Sequence, residues 1–366
     1  MSDIEAATKR SPVTDHVVAE LKKRIASGVY KPHSYLPSER ILSQELQTSR
    51  RSVSLGLTRL QAEGIVVQTP GRGTRLLPPE DRHQQVVIGV AYLAAFSILP
   101  LQLTHILHGI EGVFRSRGYP YKLMPLDHPK REGVVQEIMH QCNALLCLHT
   151  FGYVEEMCEL ERKHFPIVVA GIEVMGEFSG TWVDHRKTTL AAVKVLTGMG
   201  HRRIALIGCP PTQHFYGDAH EGYRAGLAEA GILVDESLIV GVRDCDTLAA
   251  YLAARSLLAL PDRPTAIITG RDLEANGVCR AVNEAGLTVG RDVSVFGFDD
   301  NSWPGSQSLL TTFREPCEEL GMAAAEMLVE RVLYGWRAPE HRELEAPMIF
   351  RQSVGPVFAG VAAAHA

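Results

Sequence analysis

The sequence predicts a multidomain protein, in which an N-terminal winged helix-turn-helix of mixed α and β structure precedes a two-lobed α/β domain. Three observations support this prediction. The chain has 366 residues, which is more than one ordinary hydrophobic core accommodates. Residues 36–73 have the pattern of a helix, a turn, a second helix and a glycine-rich hairpin. From residue 86 onward, short apolar runs alternate with amphipathic stretches, as in parallel sheets covered by helices.

The first 75 residues carry signals for three helices and a two-stranded wing. The first predicted helix spans residues 12–27, and Gly28 ends it. A Pro-Ser-Glu run at 37–39 begins the second helix, and Thr48 or Ser49 caps the third. The helical apolar stripes are Val17, Leu21 and Ile25 in the first helix and Val53, Leu57 and Leu60 in the third. After Gly64, the run IVVQT-PGRG-TRLL predicts two short strands around a tight turn.

The remainder of the chain divides into a linker, a large α/β domain and a tail. Residues 76–85 are polar and contain proline, which is typical of a linker. Residues 86–355 form the α/β domain and residues 356–366 the tail. Predicted strands lie at 86–92, 144–148, 167–170, 203–208, 265–269 and 293–298, with a helical stretch near 101–118. So long a segment exceeds one such sheet, so we expect two lobes with a ligand between them, beyond the carboxyl ends of the strands.

Charge is distributed unevenly along the chain. Residues 1–75 contain 12 Lys and Arg against 7 Asp and Glu, a balance of +5, and the remainder carries −10 to give the total of −5. A basic N-terminal domain on an acidic body favours a protein that touches nucleic acid at one end. No apolar run could span a bilayer, and the first residues do not resemble a signal peptide, so we expect a cytoplasmic protein without membrane contact.

Motifs for other chemistry are absent from the sequence. The seven cysteines form no C-x-x-C pair, and the histidines show no ligand spacing, so we expect no metal and no cofactor. The sequence also lacks G-x-S-x-G, a P-loop and a dinucleotide-binding fingerprint. Asp299 and Asp300 could imitate a catalytic carboxylate pair, but adjacent side chains at a strand end point apart. We therefore expect that the protein is not an enzyme.

Two stretches resemble known bacterial regulators. The phrases SGVYKP, LPSER, TSRRSV, RLQAEGIV and GRGT resemble the GntR family, whose fold is the winged helix-turn-helix. Residues 86–355 resemble the LacI/GalR regulatory core, itself similar to periplasmic sugar-binding proteins, through VDHRKTTLAAVKVLTGMGHRRIALIG, EGYRAGLAEAGI and RPTAIITGRDLEANGVCRAVNEAGLTVGRDVSVFGFDD. The combination resembles regulators of the arabinose-repressor type. It implies a repressor that binds a palindromic operator in double-stranded DNA as a homodimer and responds to a sugar or sugar derivative.

The GntR resemblance places candidate DNA-binding residues at two helix starts and at the wing. Arg40 and Arg50 fall where the family has arginines that read bases and phosphates, and an arginine fork fits guanine O6 and N7. Ser49, Arg51 and Ser52 lie beside Arg50. The expected wing tip is Gly71 and Arg72. The alternative for each is an exposed, solvated side chain. The sequence also has Ser54 where the family often has arginine, so the operator sequence cannot be transferred.

The LacI/GalR resemblance places candidate ligand-binding residues at strand ends. Asp272 follows a predicted strand where the family usually has Asn-Asp, and a carboxylate can accept from two sugar hydroxyls. Its neighbour Arg271 replaces the asparagine, which favours an acidic or unusual ligand. Asp299 is a second acceptor. Candidates in the predicted cleft loops are Phe96, His149, Phe215, Tyr216 and Trp303. Helix capping or packing remains the alternative for all of these residues, and capping is the preferred interpretation of Asp184.

The ligand cannot be named from the resemblance. Many related cores have arginine at the position of Ala219, so the usual sugar clamp is incomplete here. A second class of protein also remains open, a ligand-binding receptor similar to periplasmic sugar-binding proteins that does not itself control genes. The basic N-terminal domain argues against this class.

Overall fold

The computed structural model describes residues 12–62, 64–69, 73–78, 86–93, 100–126, 133–148, 151–171, 177–208, 214–242, 246–300, 308–334 and 338–357. Over these ranges the chain forms a small N-terminal domain, here called the head, and a larger domain of two lobes. No helix in the described ranges has the length and apolar character needed to cross a membrane.

The head is the predicted winged helix-turn-helix. Its elements are α1 (Pro12–Ala26), α2 (Glu39–Glu45), α3 (Arg50–Ala62), β1 (Val66–Thr69) and β2 (Gly73–Leu76), and the two strands pair antiparallel. The predicted stripes of α1 and α3 pack together, since Val17, Leu21, Val53 and Leu60 are fully buried. Gly28 follows α1 with a φ of 76°, which glycine adopts without the steric cost that other residues meet.

The head extends two residues further than predicted. β2 includes Leu76, and the N–H of Leu77 donates to the carbonyl of Ile65 at 3.0 Å. Both leucine side chains are buried. Residues 76 and 77 therefore belong to the core of the head and not to the predicted linker, because their apolar side chains and backbone groups complete its packing.

The first lobe is assembled around a parallel sheet. Its elements, in chain order, are β3 (Ile88–Leu93), α4 (Pro100–Arg117), β4 (Tyr121–Leu126), α5 (Val134–Gln141), β5 (Ala144–Leu148), α6 (Val154–Arg162), β6 (Ile167–Ala170) and β7 (Ser179–Trp182). β5 and β6 are buried along their whole length, as continuous apolar runs require when helices cover both faces. The predicted strands match to within two residues, whereas β4 and β7 were not predicted.

The second lobe repeats this architecture. Its elements are α7 (His185–Gly198), β8 (Ile204–Gly208), α8 (His214–Glu229), β9 (Ile239–Gly241), α9 (Thr247–Leu258), β10 (Ala266–Thr269), α10 (Asp272–Glu284), β11 (Ser294–Asp299) and β12 (Thr311–Arg314). β9 and β12 were not predicted. The three predicted strands of this lobe, β8, β10 and β11, form the centre of its sheet.

The chain then returns to both lobes. α11 (Cys317–Tyr334) and β13 (His341–Glu343) join the first lobe, and β14 (Met348–Ile349) joins the second. The strand orders are β13-β7-β6-β5-β3-β4 and β14-β12-β11-β10-β8-β9. Only the β12–β14 pairing is antiparallel among the described pairs of the two large sheets. Three connections therefore link the lobes, at residues 183–184, 315–316 and 344–347.

Helices α4 and α11 approach each other through glycine. A Cβ atom on Gly109 would lie 2.1 Å from the carbonyl oxygen of Glu318, and one on Gly321 would lie 2.2 Å from that of Ile106. Neither distance is sterically possible, so both positions need glycine for this helix crossing. The contact fixes the returning helix α11 against the first lobe.

Candidate functional site

The start of α3 presents two arginines to solvent. Ser49 caps this helix, because its Oγ accepts from the N–H of Ser52 at 3.1 Å and lies 2.9 Å from the Oγ of Ser52. Arg50 and Arg51 are the first two residues of α3 and are exposed. Arg40, the second residue of α2, is also exposed. Sequence reasoning thus placed these five residues at two helix starts correctly.

These arginines differ from others in the head. Arg59 donates to Asp15 at 2.6 Å, and Arg24 donates to Glu45 at 2.6 Å, so both hold helices together. Within the described residues, no ion pair involves Arg40, Arg50 or Arg51. Exposed guanidinium groups beside the positive end of a helix dipole are suited to bind anions such as phosphate.

The wing tip lies outside the described residues. This applies to Gly71 and Arg72, whose predicted roles stay predictions. The flanking residues Thr69 and Gly73 pair at the ends of β1 and β2. Tyr35 forms an isolated bridge with Arg75 and so extends the wing by one partner.

A buried ring of four polar side chains lies where the two lobes meet. Gln102 Nε2 donates to Asp299 Oδ1 at 3.0 Å and to Glu315 Oε2 at 2.5 Å. Arg271 Nη1 donates to the same two oxygens, at 2.5 Å and 3.3 Å. The four residues are 3%, 7%, 7% and 5% exposed in the order Gln102, Asp299, Glu315, Arg271. The ring therefore combines two carboxylates, one guanidinium and one amide in a water-poor site.

Backbone geometry holds two members of the ring in place. Arg271 precedes α10, and its N–H donates to the carboxylate of Glu274 at 3.0 Å. Asp299 ends β11 with a φ of 117°, and Asp300 follows at 54°. Both φ values lie in the left-handed region that residues other than glycine rarely adopt. Backbone strain of this kind persists where surrounding contacts impose it. The ring supplies those contacts for Asp299.

Burial raises the pKa of both carboxyl groups of the ring. Desolvation raises the pKa of Asp299 well above its ordinary value, although the charge of Arg271 opposes the shift. Desolvation also raises the pKa of Glu315, again against Arg271. The Arg271 guanidinium is thus shared by two carboxyl groups. The expectation that Arg271 favours an acidic ligand stays a prediction, and two carboxyl groups of the protein already accept from its guanidinium.

Asp272 and Asp300 take part in separate contacts. Asp272 Oδ1 accepts from the Thr312 hydroxyl at 2.8 Å, and burial raises the pKa of Asp272 to about 7. Asp300 accepts from Arg314 at 2.8 Å and from Arg351 at 2.6 Å. Asp299 and Asp300 therefore point into different clusters, as expected for adjacent residues at a strand end.

A small recess of about 20 Å³ opens in the second lobe near the ring. Its walls come from the ends of β8, β10 and β11 and from α7 and α8. The lining residues are His185, Thr189, Leu206, Ala219, Ile268, Thr269, Gly270 and Phe298. The His185 ring lies 5.3 Å from that of Phe298, measured between centroids. The small side chain of Ala219, noted in the sequence as a departure, is part of this wall.

Three of the predicted ligand contacts, Phe96, His149 and Trp303, lie outside the described residues. The backbone of Phe215 and Tyr216 belongs to α8, but their side chains are not described. Asp184 is a helix cap, as predicted, since its carboxylate accepts from the N–H of Lys187 at 2.9 Å. In the described parts of the chain, no group of three or more His, Cys, Asp or Glu could hold a metal ion.

Sequence reasoning missed Gln102, Glu315 and His185. Gln102 is the third residue of α4, and a polar residue at the start of a helix gives no signal by itself. Glu315 follows the unpredicted strand β12, so its position at a strand end was hidden. His185 stands next to the correctly predicted cap Asp184, which gave no hint that its ring enters the second lobe.

Comparison with known families assigns both domains. Residues 13–76 match the gntR family of bacterial regulatory proteins, and residues 193–354 match a periplasmic binding protein-like domain. The chain joins a GntR-type head to a periplasmic-binding-protein-like sensor. The two lobes are accordingly called the sensor from here on.

Two relatives match most or about half of the chain. The chain is 28% identical over 335 residues to the arabinose metabolism transcriptional repressor of Geobacillus stearothermophilus, which covers 86% of this chain and 89% of that protein. It is 32% identical over 197 residues to the HTH-type transcriptional repressor PurR of Escherichia coli. That second match spans 53% of this chain and 58% of PurR. Both relatives are transcriptional repressors.

Solved structures confirm the fold of the sensor. A LacI family transcriptional regulator from Enterococcus faecium with bound ribose superposes with a TM-score of 0.65 at 21% identity, covering 74% of this chain and 100% of that one. A LacI family regulatory protein from Chloroflexus aggregans gives 0.63 at 25% identity, covering 74% and 98%. The two-lobed parallel architecture is thus the LacI type.

Proposed function

We propose that this chain is a DNA-binding transcriptional repressor whose operator affinity is controlled by a sugar or sugar derivative bound between the lobes of the sensor. The observation that carries this proposal is the exposed start of α3, with Arg50 and Arg51 beside the capping residue Ser49. A GntR-type head with this exposed helix start offers guanidinium groups to a major groove, and the relative that covers 86% of the chain is a transcriptional repressor.

The head reads DNA through three classes of contact. Arg50 and Arg40 contact base edges or phosphates, Arg51 with Ser49 and Ser52 contacts the backbone, and Arg72 with Gly71 enters the minor groove from the wing. The hydroxyl groups of Ser49 and Ser52 bond to each other, so only one of the two hydroxyl hydrogens remains to donate to a phosphate. One head covers few base pairs, so the protein binds a palindromic operator as a homodimer.

The sensor holds the effector beside the buried ring. Asp299 and Arg271 line the meeting point of the lobes, and the recess at Ala219 adds an apolar wall with two threonine hydroxyls. Asp272, His149, Phe96, Phe215, Tyr216 and Trp303 remain proposed contacts. A LacI family regulator of the same fold that has bound ribose supports a sugar as the class of effector.

This function places the protein in the cytoplasm, where the operator is, and assigns it no enzymatic activity. A mobility-shift assay with the DNA upstream of the gene tests it. Specific retardation that survives competitor DNA is expected from the full chain. Retardation no stronger than that of unrelated DNA would leave the sensor as a receptor without direct gene control.

The effector half of the proposal has its own test. A ligand that binds the folded state raises the melting temperature, by an amount that grows with its concentration relative to Kd. Pentoses, hexoses, amino sugars and uronates form the panel, and each compound is tested on the wild type and on D299N. A compound that stabilises the wild type but not D299N identifies the class, and equal stabilisation of both variants would remove Asp299 from the site.

A further inference from the structure

The buried ring joins three separately built parts of the sensor. Gln102 belongs to α4 in the first lobe, Arg271 and Asp299 belong to the second lobe, and Glu315 lies on a connection between them. Gln102 is therefore the ring member that the first lobe supplies. A change in the angle between the lobes must stretch or break its two hydrogen bonds.

Burial strengthens the two hydrogen bonds of Gln102. Gln102 is 3% exposed, and both of its acceptors belong to buried carboxyl groups. In such surroundings a hydrogen bond is electrostatically stronger than in water, and a carboxyl oxygen that loses its donor is not resolvated. Arg271 alone cannot satisfy both carboxyl groups equally, since its Nη1 lies 2.5 Å from Asp299 but 3.3 Å from Glu315. The amide complements it at Glu315, at 2.5 Å.

We propose that Gln102 is a positioning residue that locks the two lobes of the sensor together, and that releasing this lock changes operator affinity. The inference rests on the proposed function, because Asp299 is there the acceptor for the effector. An effector hydroxyl that donates to Asp299 Oδ1 uses the same oxygen as Gln102. The effector and Gln102 then compete for this one oxygen atom, so that binding of the effector releases the first lobe.

The test compares variants that separate hydrogen bonding from space filling. Q102E has the same size as glutamine but brings a third carboxyl group into the ring. Q102L removes the donor. The double variant Q102E/E315Q exchanges the amide and the carboxyl group between the two positions. The amide at position 315 can then donate to the carboxyl group at position 102, which restores a hydrogen bond between the lobes. The matched control is Q141L, because Gln141 bonds to Glu137 and Lys122 within the first lobe.

Lobe orientation is measured in the full-length protein without effector or DNA. Spin labels attached by cysteine-independent chemistry at Arg117 on α4 and Ala228 on α8, both exposed, report the distance between lobes by double electron–electron resonance. Labelled protein is diluted with unlabelled chain. Q102E and Q102L should shift the distribution to other distances, Q102E/E315Q should return it toward the wild type, and Q141L should leave it unchanged.

Outcomes decide the two halves of the proposal separately. A wild-type distance distribution in folded Q102E means that the residue only fills space, and the lock is then wrong. If Q102E does not fold, Q102N, which withdraws the amide by one methylene, is measured in its place and judged in the same way.

In mobility shifts, Q102L should change operator affinity at least about fivefold relative to Q141L. An altered distance with unchanged affinity would overturn the regulatory half, whereas failure of the wild type to bind DNA would overturn the proposed function instead.

Discussion

Arg271 and Asp299 form an ion pair that is almost completely shielded from solvent, with Nη1 2.5 Å from Oδ1 and side-chain exposures of 6% and 8%. Removing one partner of such a pair leaves an uncompensated buried charge, which typically costs about 3–5 kcal/mol. We therefore expect R271M to lower the free energy of unfolding by about this amount in urea denaturation at pH 8, because Asp299 and Glu315 then face each other without a cation.

The matched control for this variant is R280M. Arg280 pairs with Glu284 at 2.8 Å, but both side chains are exposed, at 67% and 47%. Exposed pairs contribute less than about 1 kcal/mol. Equal losses from R271M and R280M would show that the buried pair has no special role. The loss from R271M should also become smaller as the pH falls, because burial raises the pKa of both carboxyl groups.

Asp272 should make stability depend on pH. Burial raises its pKa from 3.8 to about 7 in the folded protein. The unfolded chain releases this proton near pH 4 while the folded chain retains it up to about 7, so this group lowers stability progressively as pH rises between the two values. D272N removes the titration. Its stability relative to the wild type should be higher at pH 8 than at pH 5, by at most about 3 kcal/mol. Identical differences at both pH values in urea denaturation would contradict this expectation.

Two glycines on α4 should respond oppositely to alanine. At Gly109 a Cβ would lie 2.1 Å from the carbonyl oxygen of Glu318, so G109A must push α11 away and should cost about 1–3 kcal/mol. At the exposed Gly112 nothing lies within 4 Å of the added carbon. G112A should stabilise the helix by about 0.5–1 kcal/mol. Thermal unfolding of both variants checks the pair, and a destabilised G112A would refute the packing argument.

Arg50 should contribute strongly to operator binding. It is exposed at the first position of α3. Loss of a bidentate contact to a base typically costs about 1–3 kcal/mol, so R50A should weaken operator binding accordingly at each half-site. R117A removes the same charge from an exposed position on α4 of the sensor and serves as the control at equal salt. Arg50 has no such role if R50A and R117A bind the operator equally.

The sequence predicted the elements whose signals are local. α3 begins one residue after its cap Ser49, and β5 and β6 have the predicted bounds, because capping residues and continuous apolar runs depend on near neighbours. β13 and β14 were not predicted, because they are short, half-buried strands. Each is an edge strand of a sheet whose other strands come from earlier parts of the chain. Their existence depends on partners about 160 and 35 residues away in sequence.

The candidate site divides in the same way. The arginines of the head could be located because helix starts are visible in sequence. The ring could be only half predicted: Arg271 and Asp299 stand at recognisable strand ends, whereas Gln102 lies 197 residues from Asp299 along the chain. Nothing in the sequence around Gln102 indicates which carboxylates it will meet, since that contact results from the packing of two lobes.

The return of α11 and β13 to the first lobe has a consequence for synthesis on the ribosome. β7 of that lobe ends at Trp182, but its neighbour β13 ends only at Glu343, 161 residues later. At about 5–20 residues per second, translation of this interval takes roughly 8–30 s. During that time the lobe lacks its edge strand and the helix that packs against Ile106 and Gly109. The open edge of the first-lobe sheet must therefore avoid pairing with other chains while the whole second lobe is being translated.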